Sequence, residues 1–236
     1  MARLMRIRDG QIETAIWGYD HRDGMAVTLV GIVHFGSVAY YQALNETIRV
    51  LAMRPAIVQC EGIRRISGEA YNNLDAEDKE LLDLLERAVD QTLSDRQAKA
   101  YVSQYQALRL EPTWKNADIN ELTLARMIGR PRLSIMAHDQ SDAKQLTALQ
   151  LAKQTRQAAN LSRLIRWVDT SYRHALVVER SRMGLEGIDH VLADPAQPNS
   201  LVAVWGLGHL PDFHRGLRKR GFKRRSCKWV RPRVPH

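Results

Sequence analysis

Two histidines and one glutamate stand where apolar stretches of the sequence end. MAVTLVGIV ends at His34, AIVQC ends at Glu61, and SLVAVWGLG ends at His209. Imidazole transfers protons near neutral pH and also binds metals. With a metal, two imidazoles and a carboxylate are a common catalytic set with an open position for water. Without a metal, the same trio could perform general acid–base chemistry on an ester, an amide or a similar bond.

The segment from Ala26 to Glu61 predicts how two of these side chains come together. Its apolar, β-branched start predicts a strand, the middle has apolar residues at helical spacing, and Pro55 precedes a second short strand. Two parallel strands joined by a crossover helix need about thirty residues, which is roughly the length available. The carboxyl ends of parallel strands share one edge of a sheet, where open α/β sheets bind ligands. We therefore expect His34 and Glu61 to face the same crevice.

A glycine precedes each of the two histidines by three positions, at Gly31 and at Gly206. Glycine allows a sharp turn or a close approach of the backbone to a ligand. A helix that follows such a turn directs its first N–H groups to the same place, and these groups favour anions. The alternative is that a histidine after a strand only caps a loop. The placement of both motifs after apolar strands favours the functional interpretation.

The rest of the pattern predicts one α/β domain over residues 1–236. A hairpin leads into the strand at 26–33, a third apolar strand is expected at 132–137, and a fourth precedes His209. The expected architecture is a mainly parallel central sheet flanked by helices. A helical insertion at about 141–192 would separate the third core strand from the fourth. The carboxyl end reads as a basic edge strand.

Other polar residues near the expected strand ends are candidates for binding a substrate. Arg64 could pair with Glu61 or with an anionic intermediate, although a solvated surface arginine is the alternative. Asp118 lies in a loop that could line a pocket or serve packing and capping. His138 and Asp139 follow the expected third strand and could instead begin the next helix.

Composition and charge exclude several classes of protein. Apolar residues make up 44% of the chain and charged residues 26%, as in an ordinary globular protein. The two cysteines form no disulfide framework and no metal-binding spacing, and Cys60 is expected to be buried. The first residues lack the apolar core of a signal peptide, and glycines and polar side chains interrupt the uncharged stretch 25–45. We therefore expect a cytoplasmic protein without a membrane span.

The positive charge is concentrated at the carboxyl end. The formal net charge is +9, and residues 214–236 contain ten Lys or Arg and no Asp or Glu, which leaves residues 1–213 near −1. Such a segment could bind nucleic acid through phosphate contacts that do not depend on sequence. It could equally consist of a last helix and strand whose cations protect an exposed sheet edge.

Three stretches resemble the TraB/PrgY/GumN family, which is related to the Tiki metalloproteases. They are GIVHFGSVAYYQALNETIRVLAMRPAIVQCEGI at 31–63, VERSRMGLEGIDHVL at 178–192 and LVAVWGLGHLPDFHRGLRKRGF at 201–222. In that family the first stretch has a strand, Gly-x-x-His, a serine-led helix, a proline and a strand that ends in glutamate. The second resembles the family's Glu-Arg helix, and the third resembles its closing Gly-x-x-His strand and helix.

The resemblance implies a hydrolase-like site built from His34, Glu61 and His209, with Arg180 as a supporting residue that stabilises an anion. Tiki relatives are described as peptidases that depend on a divalent metal, so His34, Glu61 and His209 could bind Mn, Co or Zn. More distant relatives include erythromycin-esterase-like proteins and ChaN-like proteins that bind haem or iron. The family's glutamate strand often continues with a cysteine and with an arginine five residues on, whereas Gly62, Ile63, Arg64, Arg65 and Ile66 follow Glu61 here.

The sequence thus supports two hypotheses from different classes. The first is a hydrolase that uses a metal-activated or His/Glu-activated water to cleave a peptide, amide or ester bond in a small-molecule or peptide substrate. The second is a non-catalytic protein that binds a metal, a haem or another small ligand in the same crevice, or nucleic acid through residues 214–236.

Overall fold

A computed structural model describes residues 4–94, 102–138 and 174–232. It shows an α/β fold with a mostly parallel mixed sheet flanked by helices, as the sequence predicts. The strands are β1 Met5–Arg8, β2 Gln11–Asp20, β3 Ala26–Ile32, β4 Phe35–Gly36, β5 Ile57–Cys60, β6 Val102–Ser103, β7 Lys115–Asn116, β8 Ser200–Gly206 and β9 Lys223–Trp229. The helices are α1 Val38–Ala52, α2 Gly68–Asn72, α3 Ala76–Ser94, α4 Gln104–Ala107, α5 Glu121–Ile128, α6 Arg130–His138, α7 Arg180–Ala193 and α8 Leu210–Lys219, and a π-helical turn, His174–Glu179, precedes α7.

The parallel part of the sheet places the predicted strand ends side by side. Strand β8 lies between β3 and β5 and is parallel to both, and β7 continues the sheet beside β5. The ladder extends one residue past the strands, where the N–H of Glu61 donates to Val204 O and the N–H of Leu207 donates to Ile32 O. The chain segments that carry His34, Glu61 and His209 therefore leave the sheet at the same edge.

Helix α1 is the crossover that makes β3 and β5 parallel. The hydroxyl of Ser37 caps its amino terminus by accepting from the N–H of Tyr40. Its buried side chains recur at helical spacing, and they are Tyr40, Tyr41, Leu44 and Ile48. The apolar pattern read from the sequence thus corresponds to the face that packs on the sheet.

The predicted strand at 132–137 is wrong, because these residues belong to helix α6. Gly129 adopts φ +82° and separates α5 from α6, so that both helices pack against α3. Within the run, Leu133 is buried whereas Ile135 is 70% exposed. A short apolar run does not distinguish a strand from a helix by its periodicity. The third parallel strand along the chain is instead β7, only two polar residues long.

The expected helical insertion at about 141–192 lies partly outside the described residues. From 174 to 192 the chain is helical, through the π-helical turn and most of α7. This part lies between β7 and β8 in chain order, and the strand that was expected to precede the insertion is helix α6.

The antiparallel side of the sheet confirms the predicted hairpin and edge strand. Strand β2 pairs with β3 on one side and with β9 on the other. Within the described part of the chain, β9 pairs with β2 alone, and its residues 223–228 are exposed. Among the described residues, no helix combines the length and the apolar character needed to cross a membrane.

The sheet and the helices α1, α7 and α8 enclose the main hydrophobic core. Trp205, Phe213 and Leu217 are completely buried in it, and the predicted burial of Cys60 is confirmed. Gly184 lets α7 approach this core closely. A Cβ atom added at Gly184 would lie 2.6 Å from a ring carbon of Trp205 and 2.6 Å from one of Phe213.

We predict that Gly184→Ala lowers the free energy of unfolding by about 1–3 kcal/mol, because the added methyl group overpacks the interface of α7 with Trp205 and Phe213. The matched control is Gly68→Ala in α2, where an added Cβ meets nothing within 4 Å. It should change the stability by about 0.5 kcal/mol or less. Urea unfolding measures both. Equal midpoints for the two variants would show that α7 does not pack as closely as described.

Candidate functional site

The carboxylate of Glu61 lies at the carboxyl edge of the parallel strands and is almost completely buried, with 5% of the residue exposed. Its Oε1 accepts a hydrogen bond of 2.6 Å from Nη2 of Arg180. Its Oε2 accepts from the backbone N–H of Gly206, at the end of β8. Both carboxylate oxygens therefore have donors supplied by elements that are distant in the sequence.

Arg180 is held between two buried carboxylates. Its Nε donates to Oδ1 of Asp118 at 2.9 Å, and its Nη2 donates to Oδ2 of Asp118 at 2.6 Å, which is a bidentate pair. The π-helical turn directly before Arg180 belongs to the same helical segment. Turns of this kind are often found at functional sites.

Asp118 is completely buried, and its carboxylate holds the guanidinium of Arg180 in place. It also accepts from the backbone N–H groups of Gly62, at 3.1 Å, and Ile119, at 2.8 Å. Asp118 also lines a cavity of about 290 Å³, so its substrate-binding role stays a prediction beside the structural one. Its contacts are those of a residue that positions Arg180.

His209 lies beside Glu61 at the end of the loop that follows β8. Its Nδ1 lies 2.9 Å from Oγ of Ser181, and its Nε2 lies 3.5 Å from Oε1 of Glu61. The imidazole also contacts the ring of Trp205 edge-to-face, with centroids 5.2 Å apart. The start of α7 thus provides contacts to both Glu61, through Arg180, and His209, through Ser181.

His34 is the exposed histidine of the predicted trio. Its Nδ1 lies 3.1 Å from Oε1 of Gln104, and its carbonyl oxygen accepts a 2.8 Å hydrogen bond from the N–H of Gln104. With the amide oxygen as acceptor, Nδ1 carries the proton and Nε2 keeps a free lone pair. Buried Gln104 therefore orients both the backbone and the ring of His34.

The pKa values of the site follow from its burial and its charges. Burial acts to raise the pKa of Glu61, but Arg180, His209 and, more weakly, His34 outweigh it, so this pKa lies well below its usual range. Although His34 is exposed, the protein packed around its ring lowers the pKa of the imidazole, and Glu61 opposes this effect. Burial acts to lower the pKa of Arg180, but Glu61 and Asp118 raise it overall. The cluster therefore keeps Glu61 ionised.

The donor arrangement does not fit the predicted metal set of His34, Glu61 and His209. Among the described residues, no group of three or more His, Cys, Asp or Glu side chains is placed to hold a metal ion. Both oxygens of Glu61 already accept hydrogen bonds, one of them from the guanidinium of Arg180. A divalent cation that binds this carboxylate would have to compete with the guanidinium of Arg180, which already pairs with Glu61.

The remaining predicted residues do not contact Glu61 or the two site histidines through any hydrogen bond or ion pair of the described residues. Arg64 is exposed and lines a cavity of about 290 Å³ beside β5 and β7, whose lining includes Asp118 but neither site histidine. His138 is exposed on α6, and its Nδ1 lies 2.7 Å from the carbonyl oxygen of Ser134 in its own helix. Asp139 lies outside the described residues. The structure therefore brings together Glu61, Asp118, Arg180 and His209, with His34 as a neighbour.

Two functional candidates are absent from the sequence interpretation, Gln104 and Ser181. Each contacts a site histidine, but Gln104 follows only the two-residue strand β6, and Ser181 is only the neighbour of Arg180 in the stretch 178–192. Their sequence separations from the histidines are 70 and 28 residues. Only the tertiary fold brings them into contact.

No protein-family model, no curated protein and no solved structure matches the chain.

We predict that Gly206→Ala destabilises the protein by about 1–3 kcal/mol, because its new Cβ must displace the carboxylate of Glu61. An added Cβ at Gly206 would lie 2.9 Å from Oε2 of Glu61 and 3.6 Å from Cδ2 of His209. The control is Gly208→Ala, two residues away, where an added Cβ meets nothing within 4 Å. Thermal and urea unfolding compare the two variants, and an equal loss in both would contradict the close approach at Gly206.

Replacement of Arg180 tests how much the burial of two carboxylates without a countercharge lowers the free energy of unfolding. We predict that Arg180→Met destabilises the protein by about 3–5 kcal/mol near pH 7, because Glu61 and Asp118 lose their shared cation. In the wild type the lowered pKa of Glu61 contributes stability above about pH 4.5, and this contribution is lost as the pH falls further. In the variant Glu61 loses the cation that lowers its pKa most, so burial acts to raise this pKa and protonation at low pH relieves the loss.

The difference in stability between the wild type and Arg180→Met should therefore narrow as the pH is lowered from about 7 to about 4. Urea unfolding at each pH measures this difference. The control is Arg182→Met, since Arg182 is an exposed residue of the same helix that pairs with Glu179 and Glu186. Its effect should be about 1 kcal/mol or less. A difference in stability between the wild type and Arg180→Met that stays constant with pH would contradict the pairing of Arg180 with the two carboxylates.

Proposed function

We propose that the protein is a hydrolase of the TraB/PrgY/GumN type that cleaves a peptide, amide or ester bond. The three stretches that resemble the family contain His34, Glu61, Arg180 and His209, and these residues lie at one edge of the sheet. The proposed substrate is a small molecule or a peptide that reaches this edge from the side of the exposed His34.

The buried ionic cluster is the observation that carries the proposal. Glu61, Asp118 and Arg180 are all at least nine-tenths buried. A buried ion pair stabilises a protein little, because the cost of removing charges from water offsets the attraction between them. Packed apolar residues would serve stability equally well at this position. Charged groups with shifted pKa values at the end of a parallel sheet are instead typical of a functional site.

In the proposed mechanism, Nε2 of His34 accepts a proton from the attacking water. Gln104 selects the tautomer with a free Nε2, and the lowered pKa keeps the imidazole neutral at neutral pH. The negative charge of Glu61 acts to raise the pKa of His34, so it stabilises the imidazolium that forms when the proton is taken up.

His209 is the group we assign to protonation of the leaving group. It lies between Ser181 and Glu61 and keeps 4% of its surface exposed, at the base of the site. Arg180 acts through Glu61, since its guanidinium is occupied by Glu61 and Asp118. We therefore propose that Arg180 is a positioning residue, in place of the anion-stabilising role that the resemblance implies.

We predict that His34→Ala and Glu61→Gln each lower turnover by at least about 100-fold, the usual effect of removing a proton-transfer group. Suitable probes are p-nitrophenyl esters and fluorogenic peptide amides, assayed with and without a chelator. The control is His138→Ala, which removes an exposed histidine outside the site and should leave the activity unchanged. Because Arg180 already pairs with Glu61, the chelator should also leave the activity unchanged.

Two results would contradict this assignment. One is full turnover in both His34→Ala and Glu61→Gln, and the other is an equal loss in His138→Ala. If no ester or amide is cleaved but a metal, a haem or another small ligand binds the wild type and not the Glu61→Gln variant, the crevice belongs to a non-catalytic binder. Circular dichroism of each variant separates a chemical effect from a loss of folding.

A further inference from the structure

Helix α8 and strand β9 form an exposed, strongly basic surface away from the hydrolase site. Two of its cations lie in the last turn of α8 and three lie on β9. All five side chains belong to exposed residues. We call this surface the basic face, and it consists of Arg218, Lys219, Lys223, Arg224 and Lys228.

The basic face differs from neighbouring cations in having no carboxylate partner. Arg215 pairs with Asp212, Arg220 pairs with Asp189 at 2.6 Å, and Arg225 lies 3.6 Å from Asp20. In the part of the chain that the structure describes, no carboxylate lies within salt-bridge distance of a basic-face residue. Within the described fold these five cations therefore form no ion pair, and the nearest carboxylate in the ladder is Asp20, the cross-strand partner of Lys223.

One cation of α8 and one of β9 lie near His214. The imidazole Nδ1 of His214 lies 2.9 Å from the hydroxyl of Tyr19 in β2. After burial, the largest influences that lower the pKa of His214 are Arg224, from β9, and Arg218, from α8. Arg224 also lies over the ring of Trp17, with its guanidinium carbon 5.3 Å from the centroid. Arg224 thus lies on the same side of the sheet as α8, whereas Lys223 and Lys228, which pair with Asp20 and Ile16, lie on the other side of the same sheet edge.

The shape of this surface is extended. Strand β9 has seven residues and therefore spans about 23 Å. Within the described chain its outer edge has no partner strand, so backbone N–H groups lie beside the cations. A second copy of the same strand is a poor partner, because like charges would face each other across the pair.

We infer that the basic face binds the phosphate backbone of a nucleic acid without sequence preference. A linear array of cations complements a linear array of phosphates, and phosphate contacts alone are sufficient for binding of this kind. The inference does not depend on the hydrolase proposal, since none of the basic-face residues contacts the site.

An anionic membrane fits this surface less well. Binding to a bilayer surface usually adds apolar side chains that enter the interface. In residues 214–232, however, no large hydrophobic side chain is exposed. Phe222 is buried, and Trp229 lies under the guanidinium of Arg6, 4.4 Å from its ring centroid.

The test measures binding of the full chain to a fluorescent DNA duplex of about 20 base pairs by anisotropy, over a salt series that starts near 50 mM NaCl. The variant Arg218→Gln/Lys219→Gln/Lys223→Gln/Lys228→Gln removes four cations and keeps Arg224, which packs on Trp17. Each phosphate contact contributes about 0.9 to the slope of log K against log salt, so the slope should fall by about 3 to 4.

A matched control removes the same charge elsewhere, through Arg54→Gln/Arg65→Gln/Arg109→Gln/Lys115→Gln, and should keep the wild-type slope. Thermal unfolding confirms that both variants are folded. Three results would overturn the inference: no binding by the wild type at the lowest salt, an equal loss in the control, or binding to phosphatidylserine vesicles without binding to DNA. Assays of ester and amide cleavage are separate readouts, so failure of either proposal leaves the other measurable.

Discussion

The guanidinium of Arg180, shared by two buried carboxylates, is the interaction on which the site depends. Glu61 comes from the end of β5, Asp118 follows β7, and Arg180 begins α7, so one cation joins three elements. Without it, two carboxylates would be buried next to each other with no countercharge, an arrangement that costs several kcal/mol. The same cation lowers the pKa of Glu61 and lies near His34, whose imidazole it helps to keep neutral. The guanidinium of Arg180 therefore determines both the positions of the side chains at the sheet edge and their charge states.

Helix α8 connects the two surfaces to which a function is assigned. It starts directly after His209 and ends at Lys219 on the basic face. Ten residues of α-helix span about 15 Å. A polyanion on the basic face would therefore lie within about 15–20 Å of the histidine, and its binding could bring a substrate close to the sheet edge without a contact in the site.

Much of the site could be predicted from the sequence because it follows from β-strand periodicity. Apolar, β-branched runs that end at a histidine or a glutamate, with a crossover helix between two of them, require that the ends converge at one sheet edge. The glycines were expected to allow a sharp turn or the close approach of a ligand. Instead they make room for side chains, since Gly31 packs against Leu207 and Gly206 packs against the carboxylate of Glu61. Gln104 and Ser181 were not predictable, because tertiary contacts alone place them. The error at 132–137 has the same cause, since packing against α3 decides between helix and strand.

The imidazole of His34 should have one tautomer and a lowered pKa. Nitrogen-15 NMR of histidine-labelled protein reports both the tautomer and the pKa of each ring. The predicted result is that His34 carries its proton on Nδ1 near neutral pH and titrates below the ordinary histidine value of 6.5. In Glu61→Gln, loss of the negative charge should lower this pKa further. A His34 that titrates at or above 6.5, or that carries its proton on Nε2, would contradict the central claim that the buried cluster and Gln104 prepare it as a base.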